Sequence, residues 1–85
     1  MENLKEISYI ISQMKNSDEI FEFFSEILTD SEISALSKRW RIMKMLKEGK
    51  TQRAIAKNLG VSLCKVTRGA RILKDRNSIA NKLLK

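Results

Sequence analysis

Apolar residues recur at helical spacing along this chain, which contains no proline. The first such face comprises Leu4, Ile7, Ile11 and Met14. These positions follow the i, i+3, i+7, i+10 pattern of one side of an α-helix. Residues suited to cap helices follow at short intervals, namely Asn16 or Ser17, Thr29, Thr51 and Ser62. Because strand-like alternation is scarce and side-chain caps are frequent, the sequence predicts an all-α fold in one domain, residues 1–85.

The second predicted helix, about Asp18–Leu28, is too apolar to have only one buried face. Its large apolar residues are Ile20, Phe21, Phe23, Phe24, Ile27 and Leu28. A helix that is apolar on most sides must be covered on more than one side. Since 85 residues leave little room for a core, we expect the second covering surface to come from another copy of the chain.

Charge is strongly segregated along the sequence. Residues 1–36 contain two basic and eight acidic residues, whereas residues 37–85 contain fifteen basic residues against Glu48 and Asp75. Residues 50–74 carry seven basic residues and no acidic one. Such a field typically meets a polyanion, although a solvated helical face or a membrane-surface helix has a similar composition. Basic residues recur all round the helices, which disfavours the membrane alternative.

The basic segment also has the local pattern of a helix-turn-helix. Thr51 can cap a short helix to about Asn58, Gly60 can adopt positive φ in the turn, and Ser62 can cap a second helix. The expected apolar contacts are Ile55, Ala56, Leu59, Val61 and Val66. The pattern therefore predicts a helix-turn-helix that binds DNA, with an ordinary helical hairpin as the alternative.

Residues that support catalysis or metal binding are scarce. The chain contains no histidine and a single cysteine, Cys64, and it shows no recognisable nucleophile with a base or phosphate-binding loop. We therefore expect neither an enzyme nor a metal site. The lone Cys64 fits a reducing compartment, so we expect a cytoplasmic protein. Trp40, on the apolar side of the third helix, is expected in the core.

Two segments resemble the bacterial Trp repressor family. These are "LTDSEISALSKRWRIMKMLKEG" and "TQRAIAKNLGVSLCKVTRGARILK", which together cover over half of the chain. The resemblance implies an intertwined homodimer of about six helices per chain that binds a palindromic operator in double-stranded DNA. It assigns residues 1–47 to dimerisation, residues 50–74 to the helix-turn-helix and residues 75–85 to a C-terminal helix.

The predicted DNA-binding residues combine this resemblance with exposed basic positions. They are Arg41, Gln52, Arg53, Lys57, Leu63, Cys64, Lys65, Thr67 and Arg68. Arg53 is the candidate for a guanine contact, because a guanidinium matches the O6 and N7 acceptors bidentately. Gln52, Arg41 and Lys57 are expected at backbone phosphates, with a solvated lysine as the alternative for Lys57. Cys64 is interpreted as a small residue beside a base.

The resemblance also implies a corepressor site for L-tryptophan. Its residues would be Thr29, Arg39, Arg68, Gly69 and Ile72. Here Ile72 replaces a serine of the enterobacterial repressors, and its side chain offers no hydrogen bond to an amino group. Two alternatives to a tryptophan-dependent repressor follow. One is a regulator of the same fold that is constitutive or senses another ligand; the other is a helix-turn-helix accessory of a transposase or sigma-like machine.

Overall fold

A computed structural model describes residues 1–84 of the chain, and every regular element within them is an α-helix. The helices are α1 Glu2–Ser12, α2 Ser17–Ile27, α3 Asp30–Lys47, α4 Gln52–Leu59, α5 Leu63–Lys74 and α6 Ile79–Leu83. The predicted all-α fold with about six helices is thereby confirmed. By their internal contacts the residues form two compact units, Met1–Ile33 and the remainder of the chain from Ser34.

The first unit contains α1 and α2, and it has no core of its own. Neither helix has a buried residue. Phe21 is 70% exposed and Tyr9 is 64% exposed, although both belong to amphipathic helices. The apolar sides of these helices are therefore unfilled in the single chain, as expected for surfaces that another copy would cover. The homodimer itself stays a prediction.

Side chains cap these helices where the sequence indicated. Asn16 caps α2, with its Oδ1 accepting a hydrogen bond from the Glu19 backbone N–H at 2.9 Å. At the start of α3, the Glu32 backbone N–H donates to Thr29 Oγ1 at 3.2 Å, and the Thr29 backbone N–H donates to Glu32 Oε1 at 2.8 Å. This reciprocal pair is the predicted capping box. The Thr29 backbone N–H, followed by its side chain, lowers the pKa of Glu32.

The second unit is built around a small apolar core. Its buried side chains are Ile42, Met45, Ile55 and Val66, and Leu46, Ala56, Leu59 and Val61 pack around them. All five apolar contacts predicted for the helix-turn-helix are therefore in or beside this core. Ile55 from α4 and Val66 from α5 are both 0% exposed, so the contact between the two helices is fully dehydrated at its centre.

The connection between α4 and α5 depends on glycine and two capping side chains. Gly60 ends α4 at φ 64° and ψ 38°, a left-handed conformation that a residue with a Cβ adopts at a cost. Thr51 Oγ1 accepts from the Ala54 backbone N–H at 3.2 Å, and Ser62 Oγ accepts from that of Lys65 at 3.4 Å. The predicted caps and turn of the helix-turn-helix are thus confirmed.

Asn81 attaches the short helix α6 to the other helices of its unit. Its Nδ2 donates to the backbone carbonyls of Leu73 at 2.8 Å and Asp75 at 3.3 Å, at the end of α5. Its Oδ1 accepts from Lys47 Nζ at 3.0 Å, at the end of α3. One asparagine therefore joins the C-terminal ends of two helices to α6, an arrangement that no local pattern in the sequence indicated.

Candidate nucleic-acid interface and ligand cavity

The predicted DNA-binding residues lie on three helices of the second unit. Arg41 is on α3, Gln52, Arg53 and Lys57 are on α4, and Leu63, Cys64, Lys65, Thr67 and Arg68 are on α5. All of them are exposed except Gln52, which is half-buried. An exposed guanidinium or ammonium keeps its charge available to phosphate at little desolvation cost. The residues on α4 and α5 therefore form a basic surface on the helix-turn-helix.

Four of these residues line a shallow depression along α5. Its wall consists of Leu63, Cys64, Thr67, Arg68 and Arg71. Arg71 was missed by the sequence interpretation, although it lies three residues after Arg68 and four after Thr67, on the same side of a helix. Arg41, Arg53 and Lys57 lie outside this depression, at other places on the exposed surface of their helices.

A hydrogen bond between side chains connects the two helices of the motif. Thr67 Oγ1 lies 2.9 Å from the Gln52 side-chain amide and 3.0 Å from the Leu63 carbonyl oxygen. A hydroxyl has one proton, so both contacts are satisfied when Thr67 donates to Leu63 and the Gln52 NH2 donates to Thr67. Gln52, at the first turn of α4, is thereby held against α5.

Loss of this hydroxyl is expected to loosen the helix pair. Thr67→Val keeps the branched side chain but removes the hydrogen bond to Gln52, and it should lower the free energy of unfolding by about 0.5–1.5 kcal/mol in urea titrations. Thr67→Ser keeps the hydroxyl and serves as the control. In a double-mutant cycle with Gln52→Ala, additive losses would contradict a coupling between the two side chains.

A second, deeper cavity of about 300 Å³ lies between α3 and α5. Its lining residues are Leu36, Arg39, Trp40, Ile42, Met43, Lys65, Arg68, Gly69 and Ile72. The structure thus brings together Arg39, Arg68, Gly69 and Ile72 of the predicted ligand site. Thr29 belongs to the first unit, where it forms the capping box of α3.

The wall of this cavity differs from the sequence expectation at two residues. Trp40 is not a core residue as expected, because it is 43% exposed and lines the cavity. Lys65, expected only at DNA, also lines it. The signal was present in the sequence, since wall residues recur at helical spacing: Leu36, Arg39, Trp40 and Met43 on α3, and Lys65, Arg68, Gly69 and Ile72 on α5. Periodicity indicates a shared helix side without indicating what covers that side.

Gly69 has a packing role that the resemblance did not suggest. A Cβ built at this position would lie 3.0 Å from Ile42 Cγ2 and 3.5 Å from Leu46 Cδ1. The missing side chain therefore lets α5 approach α3 closely at the base of the cavity. Close approach of these helices brings Arg68 and Ile72, on either side of Gly69 along α5, next to the α3 side chains.

Two other kinds of site were sought in residues 1–84. No group of three or more cysteine, aspartate or glutamate side chains is placed to hold a metal ion there. None of the helices in the same residues has the length and apolar content needed to cross a membrane.

Comparison with known proteins gives a consistent result. Residues 2–85 match the family described as Trp repressor protein. The chain is 39% identical over 69 residues to a Trp operon repressor homolog of Xylella fastidiosa, covering 80% of this chain and 75% of that protein. It is 38% identical over 66 residues to a Trp operon repressor homolog of Chlamydia trachomatis, covering 76% and 70% of the two chains.

Two further relatives extend the comparison. An uncharacterised Bacillus subtilis protein, YerC, is 33% identical over 67 residues, which cover 79% of this chain and 64% of YerC. The crystal structure of a TrpR-like protein from Eubacterium eligens superposes with a TM-score of 0.82 at 30% sequence identity. That superposition covers 98% of this chain and 86% of the other, so the whole described fold has a counterpart.

Proposed function

This chain belongs to the Trp repressor family, and from that premise we propose that it is a homodimeric transcriptional repressor that binds a palindromic DNA operator. The observation that carries the proposal is the helix-turn-helix of α4 and α5, whose exposed surface has basic side chains and no acidic one. Cytoplasmic localisation follows from a function on DNA.

Affinity and sequence discrimination are assigned to different residues of this surface. Arg53, exposed at the start of α4, is proposed to read a guanine, because bidentate contact with O6 and N7 distinguishes that base. Arg41, Lys57, Lys65 and Arg68 are proposed to meet phosphates or to steer the approach to DNA. Gln52 donates to Thr67, so a phosphate contact by its amide would use its remaining hydrogen-bonding groups. Leu63, Cys64 and Thr67 would face base edges from the depression along α5.

Substitutions at Arg53 and Lys57 separate these two roles. Arg53→Ala should cost about 1–3 kcal/mol in binding to the cognate operator and relax discrimination at one base position per half-site. Lys57→Ala should weaken all duplexes alike and reduce the slope of log K against log salt by about one. Fluorescence anisotropy with cognate and scrambled duplexes at several salt concentrations measures both effects. Equal losses on the two duplexes for Arg53→Ala would exclude a base-reading role.

Homodimerisation is proposed because the exposed apolar sides of α1 and α2 need a cover. Leu4, Ile10 and Ile27 are each about half exposed or more, and Phe21 is 70% exposed. A two-fold dimer also presents two helix-turn-helix motifs to successive major grooves, about 34–36 Å apart. Identification of bound genomic fragments should therefore yield an inverted repeat near a promoter. Half-sites without symmetry would favour the transposase or sigma-like accessory.

Ligand control is the least developed part of this function. We propose that a small molecule in the cavity between α3 and α5 changes DNA affinity, with L-tryptophan as the first compound to test. Its ring could lie against the guanidinium groups of Arg39 and Arg68, which stack favourably on aromatic faces. A planar ligand there would fix the angle of α5 relative to α3. By linkage, the ligand and DNA must raise each other's affinity by the same factor. The alternative is a constitutive regulator of the same fold.

A further inference from the structure

The cavity between α3 and α5 offers a ligand only hydrogen-bond donors on its side chains. Its polar side chains are Arg39, Trp40, Lys65 and Arg68. Guanidinium, ammonium and indole N–H groups all donate and none accepts. The remaining wall residues are Leu36, Ile42, Met43, Gly69 and Ile72, which are apolar or lack a side chain. A ligand that fits this wall must therefore supply acceptors and an apolar body.

Backbone carbonyls in the wall do not supply the missing acceptors. The α3 wall residues, 36–43, lie inside Asp30–Lys47, so their carbonyls accept the i→i+4 hydrogen bonds of that helix. Those of residues 65–69 are used in the same way within α5. The carbonyl of Ile72, near the end of α5, accepts from the Asp75 backbone N–H at 3.2 Å. A ligand ammonium would consequently face three cations and find no free acceptor in this unit.

We propose that the cavity binds an aromatic carboxylate without an amino group, in preference to an amino acid. A carboxylate is an acceptor-only anion, and a guanidinium can hold both of its oxygens. The ring would lie among Trp40, Met43 and Ile72, with the carboxylate at Arg39, Lys65 or Arg68. The volume of about 300 Å³ is at the lower end for ligand pockets and suits a small ring system. The proposal rests on the proposed function in taking this cavity as a regulatory site.

A matched ligand series separates the contribution of the amino group. The series is 3-phenylpropionate, L-phenylalanine and 2-phenylethylamine, which share one ring and chain and differ in their charged groups. Trp40 is the only tryptophan of the chain and lines the cavity, so its fluorescence reports binding of these ligands. We expect 3-phenylpropionate to bind about tenfold or more tightly than L-phenylalanine, and 2-phenylethylamine not to bind. Calorimetry extends the comparison to L-tryptophan against 3-indolepropionate, with the same order expected.

Two sets of variants test the chemistry assigned to the wall. Arg39→Gln removes a cation and should weaken 3-phenylpropionate about tenfold. Ile72→Thr adds a hydroxyl that can accept from an ammonium, so it should narrow the gap between acid and amino acid. Ile72→Val removes a similar volume without adding an acceptor and should leave the gap unchanged. This matched pair distinguishes an effect of hydrogen bonding from an effect of cavity size.

The outcomes for this inference and for the proposed function are independent. Amino acids that bind as tightly as the deaminated acids, or the absence of binding by every compound in both assays, would overturn the inference. Carboxylate binding with the expected order supports it even if anisotropy detects no DNA binding, a result that would overturn the proposed function alone. DNA binding that is tight and unaffected by a bound acid would remove regulation by the cavity and leave the ligand preference standing.

Discussion

Replacement of Ile55 by alanine is expected to lower the free energy of unfolding by about 2–5 kcal/mol, because a fully buried side chain leaves both lost transfer energy and a cavity. Ile55 is 0% exposed and belongs to a core of only four buried side chains. Small domains have total stabilities of about 5–15 kcal/mol, so this change removes a large fraction of the total. Urea titration at fixed protein concentration measures the loss, since subunit association makes stability depend on concentration.

Leu63 provides the control for this prediction. It is also a large aliphatic residue of the helix-turn-helix, yet it is 46% exposed at the start of α5. Leu63→Ala should therefore cost clearly less than Ile55→Ala, about 1 kcal/mol or below. Similar losses for the two variants would show that the core is not centred on the contact between α4 and α5.

The helices and caps could be predicted from the sequence because the interactions that define them are local. Thr51, Gly60 and Ser62 each act on backbone within four residues of themselves, and the capping box of Thr29 spans three. Such signals are visible in any short window of sequence. The apolar residue Ile55 was also assigned correctly, because it lies at helical spacing within a segment already recognised as one motif.

Interactions between distant residues could not be predicted in the same way. Asn81 and Lys47 are 34 positions apart, and Gln52 and Thr67 are 15 apart, so only the folded chain brings them together. Trp40 shows a related failure. Its helical spacing indicated an apolar side of α3, but the same spacing fits a core and a cavity wall equally well. The choice between the two depends on how closely α5 approaches, which Gly69 controls.

Association of two chains is the second prediction with a large expected effect. The protein should sediment at twice its chain mass at micromolar concentration, because α1 and α2 have no buried residue within a single chain. Phe21 is the most exposed aromatic side chain, at 70%. Phe21→Glu would place an unpaired carboxylate in the proposed interface, which should cost about 2 kcal/mol or more of association free energy.

Operator binding should fall together with dimerisation in Phe21→Glu, since one helix-turn-helix motif contacts only one half-site. Phe21→Leu is the matched control: it keeps an apolar side chain at the same position and should keep the dimer and most of the operator affinity. Sedimentation equilibrium and anisotropy on the same samples measure both properties. A dimeric Phe21→Glu variant would place the interface elsewhere. A folded wild-type monomer would contradict the argument from the exposed apolar sides of α1 and α2, and with it the expectation of a two-fold symmetric operator.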